Sequence, residues 1–336
     1  MTLYMRFKRQ LLLLLCLCGC FSSCQGQNGQ TIDREAEPIQ IHRFDKLLLH
    51  WLEQGDSAAY RDLQQQNRPM LEVLGKSLFN LPNLEAAGFE DKLRNYYAEP
   101  TLHQLYVESV AHFETVAELQ QQLGRGFHYL LSCFPDRQMP TLYMHVSGLN
   151  QNVLVTDELL SISIDKYLGK DYPLYQEFFY PYQTEKMQRD NVAPDYLTGW
   201  LMAEFPFEGK ENVLLDRMVY EGKLLYLLAQ ALPEMRPERL LGYTPEQLAW
   251  VQANEKKLWQ TIIERKHLYT PDLSTTNRYF EEAPSQFMAT DAPGCLGKWI
   301  GWQLVTRFMQ ETNTTPAQLM QLNDAQSLLT QAKYKP

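Results

Sequence analysis

The sequence predicts a mainly helical protein with a small β-sheet, in the α+β class. Apolar residues recur every three or four positions along most of the chain, which places them on one face of an α-helix. Between Thr141 and Leu168 the pattern changes to short β-branched runs separated by turn residues such as Gly148 and Asn150, which suits two or three strands. A hydrophobic content of 45% with 12% aromatic residues predicts a well-packed body.

The first 24 residues predict an export signal that ends in a lipid attachment site. A basic start is followed by the apolar run at 11–21 and then by Ser22, Ser23 and Cys24. That run is shorter than the roughly 20 apolar residues that cross a bilayer. Small residues before a cysteine are typical of a bacterial lipoprotein, so we expect residues 1–24 to be a lipoprotein signal peptide and Cys24 to be acylated, with Cys20 as the alternative. The competing interpretation is an ordinary cleaved signal.

Composition divides the remaining chain into two parts. Residues 25–38 are polar and nearly free of apolar side chains, which predicts a flexible tether. Residues 39–336 are predicted to form a single globular domain, because no repeat or interior linker interrupts them. The formal charge of -9 argues against nucleic acid as a partner, and against an electrostatic grip on anionic lipids.

Helical segments are predicted on both sides of the strands. Before them lie residues 44–55, 69–81 and a long helix over 101–123. Within the strand region, the alternation at 161–165 predicts a half-buried strand. After it, we expect helices that begin near Asp195, cover 214–232, begin at a Thr244 N-cap with Gln247 closing a capping box, run through the segment containing Gly297 and Gly301, and end with a short helix, a turn and a last helix.

Catalytic motifs are missing from the sequence. No two of the 7 histidines are four positions apart, so the HExxH zinc motif is absent, as are GxSxG, P-loop and Rossmann patterns. Glu185, Asp190 and Asp195 are interpreted as solvated charges and helix caps. Cys133 and Cys295 are the cysteines of the folded part, and in an exported protein they have one possible disulfide connectivity.

Several segments, in order from residue 39 to 336, resemble the GldB family of gliding-motility lipoproteins found in the Bacteroidetes. They are "IQIHRFDKLL", "YLGKDYPLYQ", "LLDRMVYEGKLLYL", "LGYTPEQLAWVQANEKKLW", "APGCLGKWIGWQLV" and "AKYKP". The resemblance implies a cell-envelope lipoprotein associated with gliding motility. It also implies a distant similarity to predicted zinc proteases, which have HExxH on one helix and a glutamate on a later helix.

This similarity implies a degenerate zincin-like scaffold. Glu221 corresponds to the third zinc ligand, and residues 203–207, which contain Glu204, occupy the HExxH frame without either histidine. Three protein ligands are normal for catalytic zinc, so we expect no metal, no cofactor and no catalytic residue. Glu204, Glu221 and Lys223 are then a candidate remnant site, with Lys223, Arg217 or a tyrosine as the partner of Glu221. Gly222 is expected to allow close approach of the "GKWIG" helix.

The tyrosines at 172, 175, 180 and 182 have two interpretations: they brace a loop, or they line a groove for a peptide or glycan. The sequence as a whole favours a non-enzymatic lipoprotein that binds envelope proteins of the gliding or secretion machinery and faces the periplasm. The alternatives are a divergent hydrolase that uses Glu204 and Glu221 on peptide or glycan, and a structural factor for envelope integrity.

Overall fold

The computed structural model describes residues 36–55 and 57–336. The predicted signal peptide, with Cys20 and Cys24, and residues 25–35 of the predicted tether lie outside this part of the chain. The described part is mainly helical with one small mixed sheet, which confirms the predicted fold class.

Residues 36–38, at the end of the predicted tether, pack against the body. The N–H of Ile39 donates to the carbonyl oxygen of Gln120 at 3.0 Å. The side-chain amide of Gln121 donates to the carbonyl oxygen of Ala36 at 2.7 Å. A Cβ atom at Gly124 would overlap the Glu37 carbonyl, so only a glycine at this position lets the backbone of residues 37–38 pack this closely.

A group of helices lies between the first strand of the sheet and the other three strands. They are α1 (Phe44–Gln54), α2 (Ser57–Gln66), α3 (Arg68–Phe79), α4 (Phe89–Tyr97), α5 (Pro100–His112) and α6 (Ala117–Cys133). Helix α1 ends at Gly55, whose φ of 65° is left-handed and suits a glycine C-cap. The sequence patterns identified α1 and α3 to within two residues, but missed α2 and α4.

The prediction of one continuous helix over 101–123 is wrong, because the helical backbone is interrupted between α5 and α6. The Arg189 guanidinium donates to the carbonyl oxygen of His112 at 2.7 Å and to that of Thr115. It also lies 4.9 Å above the ring of Phe113. Arg189 thus satisfies carbonyls that a continuous helix would use internally, and it comes from a distant part of the sequence.

The sheet contains β1 (Ile41–His42), β2 (Thr141–His145), β3 (Val153–Val155) and β4 (Leu159–Ser163), in the order β1-β2-β4-β3. Strand β2 is parallel to β1 and to β4, whereas β3 is antiparallel to β4. The prediction of a half-buried strand at 161–165 is wrong, because every residue of β4 is buried. Ser161 tolerates burial because its hydroxyl bonds His145 Nδ1 at 2.7 Å.

Helices α7 to α16 follow the sheet. They are α7 (Pro173–Phe178), α8 (Pro181–Thr184), α9 (Val192–Glu204), α10 (Leu214–Ala231), α11 (Pro237–Leu241), α12 (Pro245–Glu264), α13 (Leu273–Arg278), α14 (Leu296–Glu311), α15 (Pro316–Gln321) and α16 (Ala325–Ala332). The capping box of Thr244 and Gln247 is confirmed at the start of α12. No helix among the described residues is long and apolar enough to span a membrane.

Helices α10 and α14 cross at close range in the core. A Cβ atom added to Gly222 would overlap the carbonyl of Gly301, and one added to Gly301 would overlap the carbonyl of Met218. The expectation that Gly222 admits the "GKWIG" helix is therefore confirmed. The side chains around this crossing, including Leu225 and Leu304, are buried in one hydrophobic cluster.

Candidate functional site

The predicted remnant site does not assemble from Glu204, Glu221 and Lys223. Glu204 ends α9 and pairs with Arg137 at 2.9 Å. Glu221 and Lys223 lie two positions apart on α10, so their side chains point about 200° apart around the helix axis. The three residues line three different cavities, so Glu204 and Glu221 do not share one site.

Glu221 pairs with a residue that sequence reasoning did not consider. Lys298 on α14 brings its Nζ to 3.3 Å from Glu221 Oε2. Of the predicted partners, Lys223 instead donates to the carbonyl oxygen of Leu322 at 2.6 Å, and burial lowers its pKa to about 8. Arg217 donates to Asn277 Oδ1 at 2.6 Å. The close approach of α10 and α14 decides the pairing.

The Glu221 side chain faces a cavity of about 110 Å³, which we call the charged cavity. Helix α9 contributes Pro194, Asp195 and Thr198, helix α10 contributes Glu221 and three leucines, and α14 contributes Lys298. Other walls come from Lys186, Asn191 and the segment 239–242. Pro194 and Asp195 fit the first turn of α9, where proline removes no helical hydrogen bond and an acidic residue favours the helix dipole.

The residues that share the charged cavity with Glu221 are not those of the predicted frame at 203–207. Residues 203–207 cannot present one helical face, because α9 ends at Glu204. Instead Pro194, Asp195 and Thr198 stand at the first, second and fifth positions, the spacing of the HExxH motif, and share the cavity with Glu221. Proline and threonine offer no imidazole. Within residues 36–55 and 57–336, no group of at least three His, Cys, Asp or Glu residues could hold a metal ion.

Charges of both signs meet in the charged cavity. Burial alone would lower the pKa of Lys298, but the Glu221 carboxylate, with Cys295 and Glu282, raises it overall. Burial also raises the pKa of Asp195, against a hydrogen bond from Tyr167 and the nearby lysines. The Tyr167 hydroxyl donates to Asp195 Oδ2 at 2.6 Å. The Glu221 carboxylate therefore favours the cationic form of Lys298.

Further ion pairs border this cavity. Lys186 Nζ lies 2.9 Å from Glu282 Oε1, and Arg239 lies 3.6 Å from Glu185 Oε1. Of the three residues interpreted as solvated charges and helix caps, Asp190 is exposed and Asp195 lies in the first turn of α9, but Glu185 and Asp195 also take part in contacts around the cavity. No histidine or other motif residue marked Pro194, Asp195 and Thr198 in the sequence.

A second cavity of about 420 Å³ adjoins the first, and we call it the aromatic cavity. Its walls include Pro181, Tyr182, Tyr243 and Pro284, and it shares Lys186, Leu241 and Gly242 with the charged cavity. The rings of Tyr180 and Tyr182 stack with centroids 5.5 Å apart and an interplanar angle of 8°.

The interpretation that the tyrosines brace a loop holds for part of the segment. Tyr175 is buried and donates to the carbonyl oxygen of Asp165, and the Tyr172 hydroxyl donates to Glu108, so these residues brace the loop. Tyr182 lines the aromatic cavity, and Tyr180 is 66% exposed beside it.

A buried polar network at the carboxyl ends of β2 and β4 also escaped the sequence reasoning. Asp165 accepts hydrogen bonds from the Leu149 N–H at 2.6 Å, the Ser147 N–H at 3.2 Å and the Ser163 hydroxyl. Burial raises the pKa of this carboxyl, although those hydrogen bonds lower it. The contacts fix the turn that carries Leu149, whose φ of 63° is left-handed.

The cysteines occupy separate surroundings. Cys133 ends α6 beside Tyr129, and burial raises the pKa of its thiol. Cys295 precedes α14, and its thiol donates to the carbonyl oxygen of Phe280 at 3.5 Å. The structure holds both as thiols, so the disulfide considered from the sequence is not formed in it.

One of three comparisons with known proteins identifies a family. A family model described as gliding motility protein GldB matches residues 25–336. No curated protein matches the chain. No solved structure matches it.

Proposed function

The chain belongs to the GldB family of gliding motility lipoproteins, and we propose that it is a non-catalytic binding or assembly factor of the cell envelope. The observation that supports this most is the side-chain set of the charged cavity. Pro194 and Thr198 stand at the spacing of the two HExxH histidines and offer no imidazole, and Lys298 pairs with Glu221. An ammonium group beside the remaining carboxylate opposes a divalent cation by charge repulsion.

The same cavity supports the proposal that the fold is a degenerate, zinc-protease-like scaffold. Asp195 stands at the second position of the HExxH spacing, and Glu221 on the next helix lines the same cavity. Catalytic zinc needs three protein ligands and an open position for water. We propose that the scaffold retains a cleft for a polypeptide while its own chemistry is lost.

Anchoring completes the proposal. An acyl chain on Cys24, or on Cys20, holds the chain at a membrane, and the body faces the periplasm. Its partners are envelope proteins, with the gliding or secretion machinery as the expected class. Limited proteolysis of intact cells tests the orientation: the chain should survive until the outer membrane is opened, and rapid loss from intact cells would place it on the surface.

Capture of partners tests the binding role. The full chain carries an affinity tag at its C-terminus and is cross-linked in cells before membranes are solubilised. We expect the same envelope protein in repeated captures, and none from an unrelated lipoprotein with the same tag. Repeated capture of no envelope protein would contradict the proposal.

A double variant tests whether chemistry is needed. Cells that carry Glu204→Gln with Glu221→Gln should move as well as wild type, because the amide keeps the shape of each side chain while removing its acid–base function. The Arg137→Gln and Lys298→Gln variants serve as controls, because each removes an ion pair of Glu204 or Glu221 and leaves the carboxylate in place. Lost motility at normal protein level would favour the hydrolase that uses Glu204 and Glu221.

A further inference from the structure

We infer that an exposed aromatic segment, residues 178–182 with the sequence FFYPY, rests in the surface of the membrane that holds the acyl anchor. Its outward rings enter the boundary between the lipid headgroups and the acyl chains, so the segment turns one face of the body toward the bilayer. The inference rests on the anchoring in the proposed function, because it names the surface with which the anchored body meets its membrane.

Two aromatic side chains of this segment face solvent. Phe178 and Tyr180 are 65% and 66% exposed, the two largest exposed fractions among the large hydrophobic residues of the described chain. Phe179 between them packs on Tyr175 instead, with ring centroids 5.9 Å apart. The backbone at Phe179 is extended, and successive side chains of an extended chain point to opposite sides. Single apolar residues on a surface are ordinary, whereas two neighbouring rings at this exposure indicate a contact surface.

The surrounding residues hold these rings in place. The ring of Tyr180 stacks on that of Tyr182 with centroids 5.5 Å apart, and the N–H of Tyr180 donates to Gln183 Oε1 at 3.0 Å. Lys166 Nζ lies 4.5 Å from the centroid of the Phe179 ring. The contact surface is therefore formed in advance, and little conformational freedom is lost when it meets a partner.

The residue types suit the surface of a bilayer. A tyrosine ring joins an apolar body to a hydroxyl that bonds water or headgroups, and tyrosines are enriched at membrane–water interfaces. Phe178 has no polar atom in its side chain and suits the acyl region below. Pro173 and Pro181, both exposed, have no N–H, so they add no backbone donor that lipid would leave unpaired.

Charge also favours a membrane surface. Residues 166–186 contain three lysines and three acidic residues, so their formal charge is zero, although the whole chain has a formal charge of -9. A neutral stretch meets a leaflet of anionic lipids without the net repulsion that an acidic surface meets. The six charged residues are Lys166, Lys170, Lys186, Asp171, Glu177 and Glu185. The aromatic segment is thus the apolar part of a neutral stretch.

The tether joins the body beside helices that the segment's neighbours also contact. Eleven residues separate Cys24 from Ala36, and an extended chain of that length spans at most about 40 Å. The carbonyl oxygen of Ala36 accepts a hydrogen bond from Gln121 on α6, and the Tyr172 hydroxyl donates to Glu108 on α5. The anchor thus holds a bilayer within that distance of this part of the body, which favours the membrane over a protein as the partner of the segment.

Quenching by lipid tests the inference. The full chain, purified in detergent, is reconstituted into phosphatidylcholine vesicles with or without bromine atoms on the acyl chains. A fluorophore is attached to Glu177→Cys, next to the exposed rings, or to Met202→Cys on α9, and both positions are exposed. Cys133 and Cys295 are buried, and wild type treated with the fluorophore gives the background. We expect brominated lipid to reduce the fluorescence of the label at 177 and not that of the label at 202.

Matched variants locate the contact. Phe178→Ser with Tyr180→Ser, made in the Glu177→Cys chain, removes the apolar rings from an exposed surface and should abolish the quenching at 177. Met202→Ser in the same chain is the control, because it removes an exposed apolar side chain outside the segment. The control should be quenched like its parent, and far-ultraviolet circular dichroism checks that each variant is folded.

Several results would overturn the inference. These are no quenching at 177, equal quenching at 177 and 202, or quenching that survives the double serine variant. Cross-linking of the segment to an envelope protein in cells, without quenching in vesicles, would assign the surface to a protein and overturn it as well.

Flotation of the same vesicles and capture from cells judge the proposed function separately. A chain that floats with the vesicles but is not quenched at 177 keeps its anchor and rejects this surface, whereas a chain that does not float rejects both. Quenching at 177 in a chain that captures no envelope protein would keep this surface and reject the binding role.

Discussion

Replacing Gly222 with alanine perturbs the contact that defines the core of the domain. The added Cβ atom would overlap the carbonyl of Gly301 on α14, which is backbone and cannot rotate away like a side chain. Relief therefore requires the two helices to separate. Since Glu221 lies on α10 and Lys298 on α14, the separation would also loosen their ion pair in the charged cavity.

The expected cost follows from two opposing effects. Overpacking of a core costs about 1–3 kcal/mol, and a clash with backbone belongs at the upper end of that range. Alanine gains about 1 kcal/mol over glycine in a helix interior. We expect Gly222→Ala to lower the free energy of unfolding by about 2 kcal/mol, which for a domain of this size lowers Tm by roughly 4 °C.

Thermal unfolding followed by circular dichroism at 222 nm measures this effect. Gly199→Ala is the matched control, because Gly199 also lies in a helix but its added Cβ atom would meet only side-chain atoms, at 3.1 Å from Val153 and 3.2 Å from Leu160. The control should stay within about 1 kcal/mol of wild type, since a small shift of side chains is offset by helix propensity. A Gly222→Ala protein as stable as wild type would refute the reasoning.

Three further predictions concern titration, a surface pair and metal. Burial lowers the pKa of His145 to about 3, so between that value and about 6.5 the unfolded chain binds one proton more and stability falls as pH falls, by up to about 1.4 kcal/mol per pH unit. The free energy of unfolding, measured with urea from about pH 6 to pH 4, should fall less steeply with falling pH in His145→Phe than in wild type. An equal pH dependence in the two proteins would contradict this. Glu204→Gln should change the free energy of unfolding by less than about 1 kcal/mol in the same assay, because its pair with Arg137 is part-exposed, and a larger loss would contradict that estimate. The full chain purified without chelator should carry less than about 0.1 zinc per molecule by mass spectrometry, unchanged in Glu221→Gln, whereas stoichiometric zinc lost in the variant would contradict the proposed cavity chemistry.

Local patterns predicted much of the fold. The capping box at Thr244 is formed by residues three positions apart, and the periodicity of 214–232 closely matches α10 (Leu214–Ala231). The break between α5 and α6 was missed because Arg189, far along the chain, accommodates the carbonyls there. The burial of β4 was missed because its serines are satisfied by partners on β2 and the following turn.

The candidate site, like the fold, was predicted from the sequence only in part. The sequence by itself identified the family segments, Glu221 as a polar residue in a buried helix, and Gly222 as a point of close helix approach. Only the tertiary structure decided that Glu221 pairs with Lys298 and faces Asp195, and that Glu204 lies elsewhere. The physical reason is that capping and helix periodicity depend on neighbours within a few residues, whereas an ion pair or a cavity depends on how distant helices cross.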